Sequence, residues 1–182
     1  MAAALLEAGA RAVERAPEPA LIRRVLGRFA TGVTVVTTEV DGEIFGMTAN
    51  AFMAGSLVPP LCVISLGRGA KMHARLEASR YFGVSFLSEA QAPLAQRFAG
   101  HPSVPVAPVF RRLGGVPVLE GGVGTLSAEL SDTIGCGDHT LFVGRIVHLA
   151  ADDRAPLLFY GSRYAALDRE QRLEHLAPQS FW

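Results

Sequence analysis

GVTVVTTEVDGEIFGMTANAF, residues 32–52, decides how this chain is read. Two runs rich in Val, Thr, Ile and Phe flank Asp41-Gly42. β-Branched and aromatic residues suit a pleated, half-buried surface, and Asp-Gly between two such runs is a strong hairpin signal. The stretch is therefore expected to be two antiparallel strands. Upstream, Leu21, Ile22, Val25, Leu26 and Phe29 fall on one helical face, which predicts a helix over residues 20–30.

Downstream, MAGSLVPP (53–60) reads as a loop. LCVISL (61–66) is a short apolar run bounded by Pro and Gly, hence a buried strand. KMHARLEAS (71–79) predicts a short helix, because Met72 and Leu76 are four apart. FGVSFL (82–87) is a further strand. LSEAQAPLAQRFAG (87–100) predicts a helix with Leu94, Ala95 and Phe98 on one face and Pro93 near its start, where a missing N–H costs little. Residues 100–122 are rich in Pro and Gly and are expected to be irregular, apart from one short strand. VGTLSAEL, HTLFVGRIVHLA and PLLFYG supply the last strands. Many short strands with few helices indicate a mainly β protein built as an antiparallel barrel.

The bulk composition agrees. A chain of 182 residues with 49% apolar and 19% charged side chains can bury a core and is not disordered. No repeat or linker divides it, so one domain is expected. The apolar bias also points to surface hidden in an oligomer. Seventeen basic and seventeen acidic side chains cancel, leaving no net field for nucleic acid or anionic lipid. Cys62 and Cys136 are too few for a disulfide scaffold, and Cys62 reads as a small core residue. The Ala-rich N-terminus has no signal-peptide core and no run spans a bilayer, so the default compartment is the cytoplasm.

Four stretches could carry chemistry. In GMTANAFMAGSLVPP, Thr48, Asn50 and Ser56 offer small hydrogen-bonding groups, and Gly46 and Gly55 let backbone approach a ligand; a strand end followed by a turn reads equally well. In SLGRGAKMH, Arg68 and Lys71 stand where a helix begins, so open N–H groups and two cations could cradle a phosphate, or the cations could simply be solvated. The spacing is not that of a Walker loop.

Asp138-His139 admits four readings. A metal site lacks companion ligands at suitable spacing, and a hydrolase triad lacks a Gly-x-Ser-x-Gly turn. The other two are a structural turn shaped by Asp138 and a His139 that touches a ligand at a barrel rim with its tautomer held by a neighbour. Tyr160, Arg163 and Tyr164 in FYGSRY could stack on a planar ligand or belong to core or interface. His73 falls near the cradle, whereas His101, His148 and His175 read as loop or surface residues.

The ordered series IRRVLGRFATGVTVVTT, GMTANAF, SLVPPLCVISL, FGVSFLSEAQAPLAQRFAG and GDHTLFVGRI, fading after FYGSRY, resembles the flavin reductase-like family. The resemblance implies an FMN-binding split β-barrel with Greek-key antiparallel strands and a few flanking helices. It also implies a homodimer with flavin sites near the subunit interface. It assigns residues 20–166 to this domain, residues 1–19 to an N-terminal arm and residues 167–182 to a tail.

By the same resemblance, the activity is hydride transfer from NADH or NADPH to FMN or FAD, with reduced flavin passing to a partner monooxygenase. Carried over by position, Thr48, Ala49, Asn50 and Ala51 line the flavin ring, largely through backbone groups. Ser56 and Leu57 hold the ring or ribityl chain. Ser65, Arg68 and Lys71 take the ribityl phosphate, and Phe98 packs near the cofactor. Tyr160 and Tyr164 match a closing aromatic segment. His139 falls at the nicotinamide end, as a positioning group. No metal is implied. Two other readings are a flavin-binding barrel without reductase activity, and a reductase acting on a ferric chelate, a corrinoid or another quinoid acceptor. The chain departs from the family where Cys often precedes the Gly-Asp-His element: Glu129 or a neighbour stands there. Phe181 and Trp182 could cover a site or a second subunit.

Overall fold

The computed structural model describes residues 17–167. Most of the expected N-terminal arm, and the tail with Phe181 and Trp182, lie outside the described residues. The chain begins with helix α1 (Pro19–Leu26), then β1 (Thr31–Gly32), β2 (Thr34–Val40), β3 (Glu43–Ala49), β4 (Phe52–Leu57) and β5 (Pro60–Gly67). Helix α2 (Lys71–Ser79) leads to β6 (Tyr81–Phe86), a short 3-10 turn, and α3 (Ala92–Phe98). Then follow β7 (Phe110–Leu113), β8 (Val116–Leu119), β9 (Gly124–Cys136), β10 (His139–Ala151), β11 (Leu157–Tyr160) and β12 (Arg163–Ala166).

The Asp41-Gly42 hairpin forms as expected. Both residues take positive φ (53° and 81°), and β2 and β3 pair from Val40 opposite Glu43 to Thr34 opposite Ala49. This is the turn whose twist matches that of its strands. Residues 33–38 are all buried, because β2 is covered on both faces. Val36 faces one apolar cluster and Val35 a second. Its polar side chains are satisfied inside: the Thr38 hydroxyl donates to the Tyr81 carbonyl at 2.7 Å, and that of Thr37 to the Pro117 carbonyl.

Seven strands join in the order β3-β2-β6-β9-β10-β5-β4, each neighbour antiparallel. The long strands β9 and β10 carry register shifts at Val143/Gly144 and Ile146/His148, the irregularities that let a sheet bend. The sheet curls until Val36, Ile64, Phe82, Leu126 and Phe142, from five of its strands, share one core. Helix α2 adds buried Met72 and Leu76 to that core. On the outer face of β2, Val35 packs with Leu87, Ala95, Leu119 and Leu157, so α3, β8 and β11 build the second cluster. The expected mainly β antiparallel barrel with few flanking helices is the architecture observed.

Three local expectations are corrected. MAGSLVPP is not a loop: most of it is the edge strand β4, paired with β5 and bulged between Ala54 and Ser56. An edge strand needs main-chain pairing on one side only, so its small, exposed residues left no alternating pattern to read. Residues 100–122 hold two strands rather than one, because Gly114-Gly115, with φ of 59° and 86°, turns β7 into β8. Helix α1 stops at Leu26, where Gly27 caps it, and does not run on to residue 30.

Candidate functional site

The β5–β10 register builds the site. His139 pairs with Gly67 and Leu141 with Ser65. The Ser65 N–H donates to the Ala51 carbonyl at 3.0 Å, and the Arg68 N–H donates to the Asp138 carbonyl at 3.0 Å. Three segments far apart in sequence therefore meet at one barrel corner: the crossover from Thr48 to Ala51, the stretch from Ser65 to Lys71, and the Asp138-His139 turn.

That turn has two residues, Gly137 and Asp138, and only Gly137 takes positive φ (60°). This is the type II′ pattern, with Gly at the first central position. The His139 Nδ1–H donates to Asp138 Oδ1 at 2.7 Å. That hydrogen bond, the His139 charge and, further down, the Arg68 guanidinium hold the Asp138 carboxyl below its usual range. A Cβ on Gly67 would lie 3.9 Å from His139 Nε2, so the unbonded ring nitrogen looks across a residue with no side chain. The structural turn expected of the pair forms, and within it Asp138 lies against one ring nitrogen of His139.

Arg68 lies over Gly135: a Cβ there would come within 3.2 Å of its Nη2. Helix α2 starts at Lys71 without any side-chain cap from Ala70. The His73 N–H donates to the Ala70 carbonyl at 2.9 Å, which leaves the Lys71 and Met72 N–H groups at the helix start beside two exposed cations, and helix N-termini favour anions. This donor set fits the phosphate of a flavin mononucleotide unit.

Along the crossover, side chains and backbone divide the work. The Thr48 hydroxyl donates to the Ala95 carbonyl at 2.7 Å, which ties β3 to α3 and commits its one proton. The Ala49 carbonyl accepts from the Thr34 hydroxyl, and that of Ala51 from Ser65. The Asn50 side chain is exposed and forms a wall of a cavity of about 280 Å3, with Phe29, Thr31, Thr34, Phe52 and Phe86 among its other walls. Thr31 Oγ1 is buried there without a partner among the described residues. The sequence assigns no site role to residues 29–34, where Phe29 reads only as part of a helical face and residues 32–34 as the start of a strand. Their only signal was a place inside the first stretch of the family resemblance.

Other expected site residues stand elsewhere. Ser56 pairs with Leu61, four residues along β5 from Ser65, on the order of 13 Å at strand rise. Its hydroxyl accepts from the Val58 N–H, bracing the β4–β5 turn, and Leu57 is exposed. Phe98 packs in the second cluster, its ring against Gly46 and edge-on to Phe110. The Tyr160 hydroxyl accepts from Arg28 at 3.3 Å, and Tyr164 stands edge-on to Phe159, where burial pushes its phenol up. These partners, Arg28 and Phe159, lie outside the corner. Glu129 is held by Arg145 directly across from it on β10. His73 bonds Thr140 at 2.9 Å and edges against Phe142, which makes it part of the α2 packing. No cluster of three metal-ligating side chains occurs among the described residues, and no described helix is long and apolar enough to cross a membrane.

The antiparallel split barrel is the architecture the family resemblance called for. Residues 26–168 match the family described as flavin reductase like domain, and the chain belongs to that family. It is 43% identical over 155 residues to an NADH-dependent flavin reductase of a Rhodococcus species, covering 82% of this chain and 87% of that protein. It is 36% identical to the reductase component of 4-hydroxyphenylacetate 3-monooxygenase from Thermus thermophilus, covering 78% of this chain and 91% of the relative. The solved structure of the flavin reductase PheA2 in its native state superposes with a TM-score of 0.82 at 40% identity, over 84% of this chain and all of that one.

Proposed function

We propose that the protein is an NADH-dependent flavin reductase whose corner holds the flavin phosphate at the start of α2 and the ring along the Thr48–Ala51 crossover. One observation carries this reading: the register that sets His139 opposite Gly67, beside Arg68, and Leu141 opposite Ser65, whose N–H donates to the Ala51 carbonyl. A bound flavin supplies the hydride-accepting chemistry, which asks little acid–base work of the protein. The chain's own task is orientation. Arg68, Lys71 and the open α2 amides bind phosphate, Asn50 and the crossover backbone set the ring's edge, and His139 orients the nicotinamide.

The NADH preference is supported by the similarity to the NADH-dependent flavin reductase of Rhodococcus. Delivery of reduced flavin to a monooxygenase is supported by relatives named as reductase components. A homodimer is supported by α1, none of whose residues is buried in the single chain although Leu21, Ile22, Val25 and Leu26 form one apolar face. The test is steady-state NADH consumption with FMN, FAD and a ferric chelate as acceptors, repeated with NADPH. Faster turnover with NADH and a flavin than with any other pair is expected. No consumption above the protein-free rate contradicts the proposal.

A further inference from the structure

We infer that Asp138 is a positioning residue, whose carboxylate fixes the imidazole of His139 so that Nε2 faces the reaction corner as a hydrogen-bond acceptor. The inference rests on the reductase reading of that corner and deepens it.

The turn does not need this carboxylate. A type II′ hairpin asks for Gly at its first central position, filled by Gly137, and tolerates many residues at the second. The turn is also anchored through the Asp138 backbone, whose carbonyl takes the Arg68 N–H. Nor does the core need it, since the Asp138 side chain is 94% exposed. What the carboxylate does touch is His139 Nδ1, at 2.7 Å. An Nδ1–H held there fixes the neutral tautomer with its lone pair on Nε2 and stops the ring from turning over. Gly67 leaves that nitrogen uncovered. An acceptor at this place suits the carboxamide N–H of a nicotinamide. A free imidazole, by contrast, would present a donor part of the time. The Arg68 charge, after the His139 hydrogen bond and charge, helps keep the carboxylate ionised.

Two measurements on the full chain test this. The first is the tautomer of His139, read from ring nitrogen shifts in histidine-labelled protein at a pH above the imidazole range. Nδ1–H is expected in the unsubstituted protein and mainly Nε2–H in Asp138→Ala. The second is kinetic, with Asp138→Asn and Asp138→Ala. A fall in kcat of about 10-fold or more is expected, with flavin Kd and thermal midpoint near those of the unsubstituted protein. Ala keeps the Gly137 turn and the Asp138 backbone but has no side-chain acceptor, so an Asp138→Ala protein with full kcat overturns the assignment. So does turnover by an unsubstituted protein whose His139 carries the Nε2 proton. Absence of turnover in the unsubstituted protein, with the Nδ1–H tautomer present, instead overturns the reductase reading.

Discussion

Cys62 and Cys136 carry the same thiol into opposite settings. Cys62 is fully buried between strands β4 and β10, and burial pushes its thiol up to about 11. Cys136 is exposed beside the Gly137-Asp138 turn. A thiolate-selective reagent is therefore expected to label one site per native chain, and none in Cys136→Ser; rapid labelling of both would contradict the packing. At Gly46 the constraint is space. A Cβ would fall 2.6 Å from the Phe98 ring, so Gly46→Val should cost about 1–3 kcal/mol in denaturant unfolding, as overpacking does. The place of His139 at a strand start was legible in the sequence, because Gly-Asp precedes an apolar run. The Thr48 side chain was not, because its bond to the Ala95 carbonyl depends on where α3 docks. Tertiary placement of that kind leaves no local pattern.

Among elements, the β2–β3 hairpin could be read outright, since Asp41-Gly42 has one strong conformational meaning. Strand β4 could not, because an exposed edge obeys no alternation. The β7–β8 hairpin was hidden by its own turn residues, which raised the Gly count of a segment also rich in Pro. That hairpin is tied to β2 by the ion pair of Arg112 with Glu39. The Arg112 hydrogen bond holds Glu39 below its usual range, its charge assisting. A carboxyl lowered in the folded state adds stability above its unfolded pKa, and that contribution is lost as pH falls through the folded value. Glu39→Gln is thus expected to lower the thermal midpoint slightly at neutral pH, with the gap closing in acid. A gap that widens on acidification would contradict the pairing. Both side chains remain partly exposed, so added salt should shrink the effect as well.

At the scale of the whole molecule, the barrel class was legible because several short β runs with strong turns permit few other packings. The corner was not, since it exists only through the β5–β10 register. Helix α1 stands out here. Gly161 donates to the Gly27 carbonyl at 2.8 Å and Arg28 bonds Tyr160, yet Val25, Leu26 and Phe29 stay exposed. Such a face is expected to pack in a dimer, so light scattering should give twice the chain mass. Val25→Glu with Leu26→Glu should shift the mass toward one chain. A monomeric unsubstituted protein at micromolar concentration would refute the role given to α1.

We propose that His139, at this corner, orients NADH toward a flavin. The most direct test of this role is anaerobic mixing of flavin-loaded protein with NADH, following the loss of flavin absorbance. Rapid bleaching is expected for the unsubstituted protein. His139→Ala should bleach about 10-fold or more slowly, in keeping with a lost orienting contact, while binding flavin with nearly unchanged Kd. Equal bleaching rates for the two proteins, or a flavin that NADH does not bleach, would contradict the account.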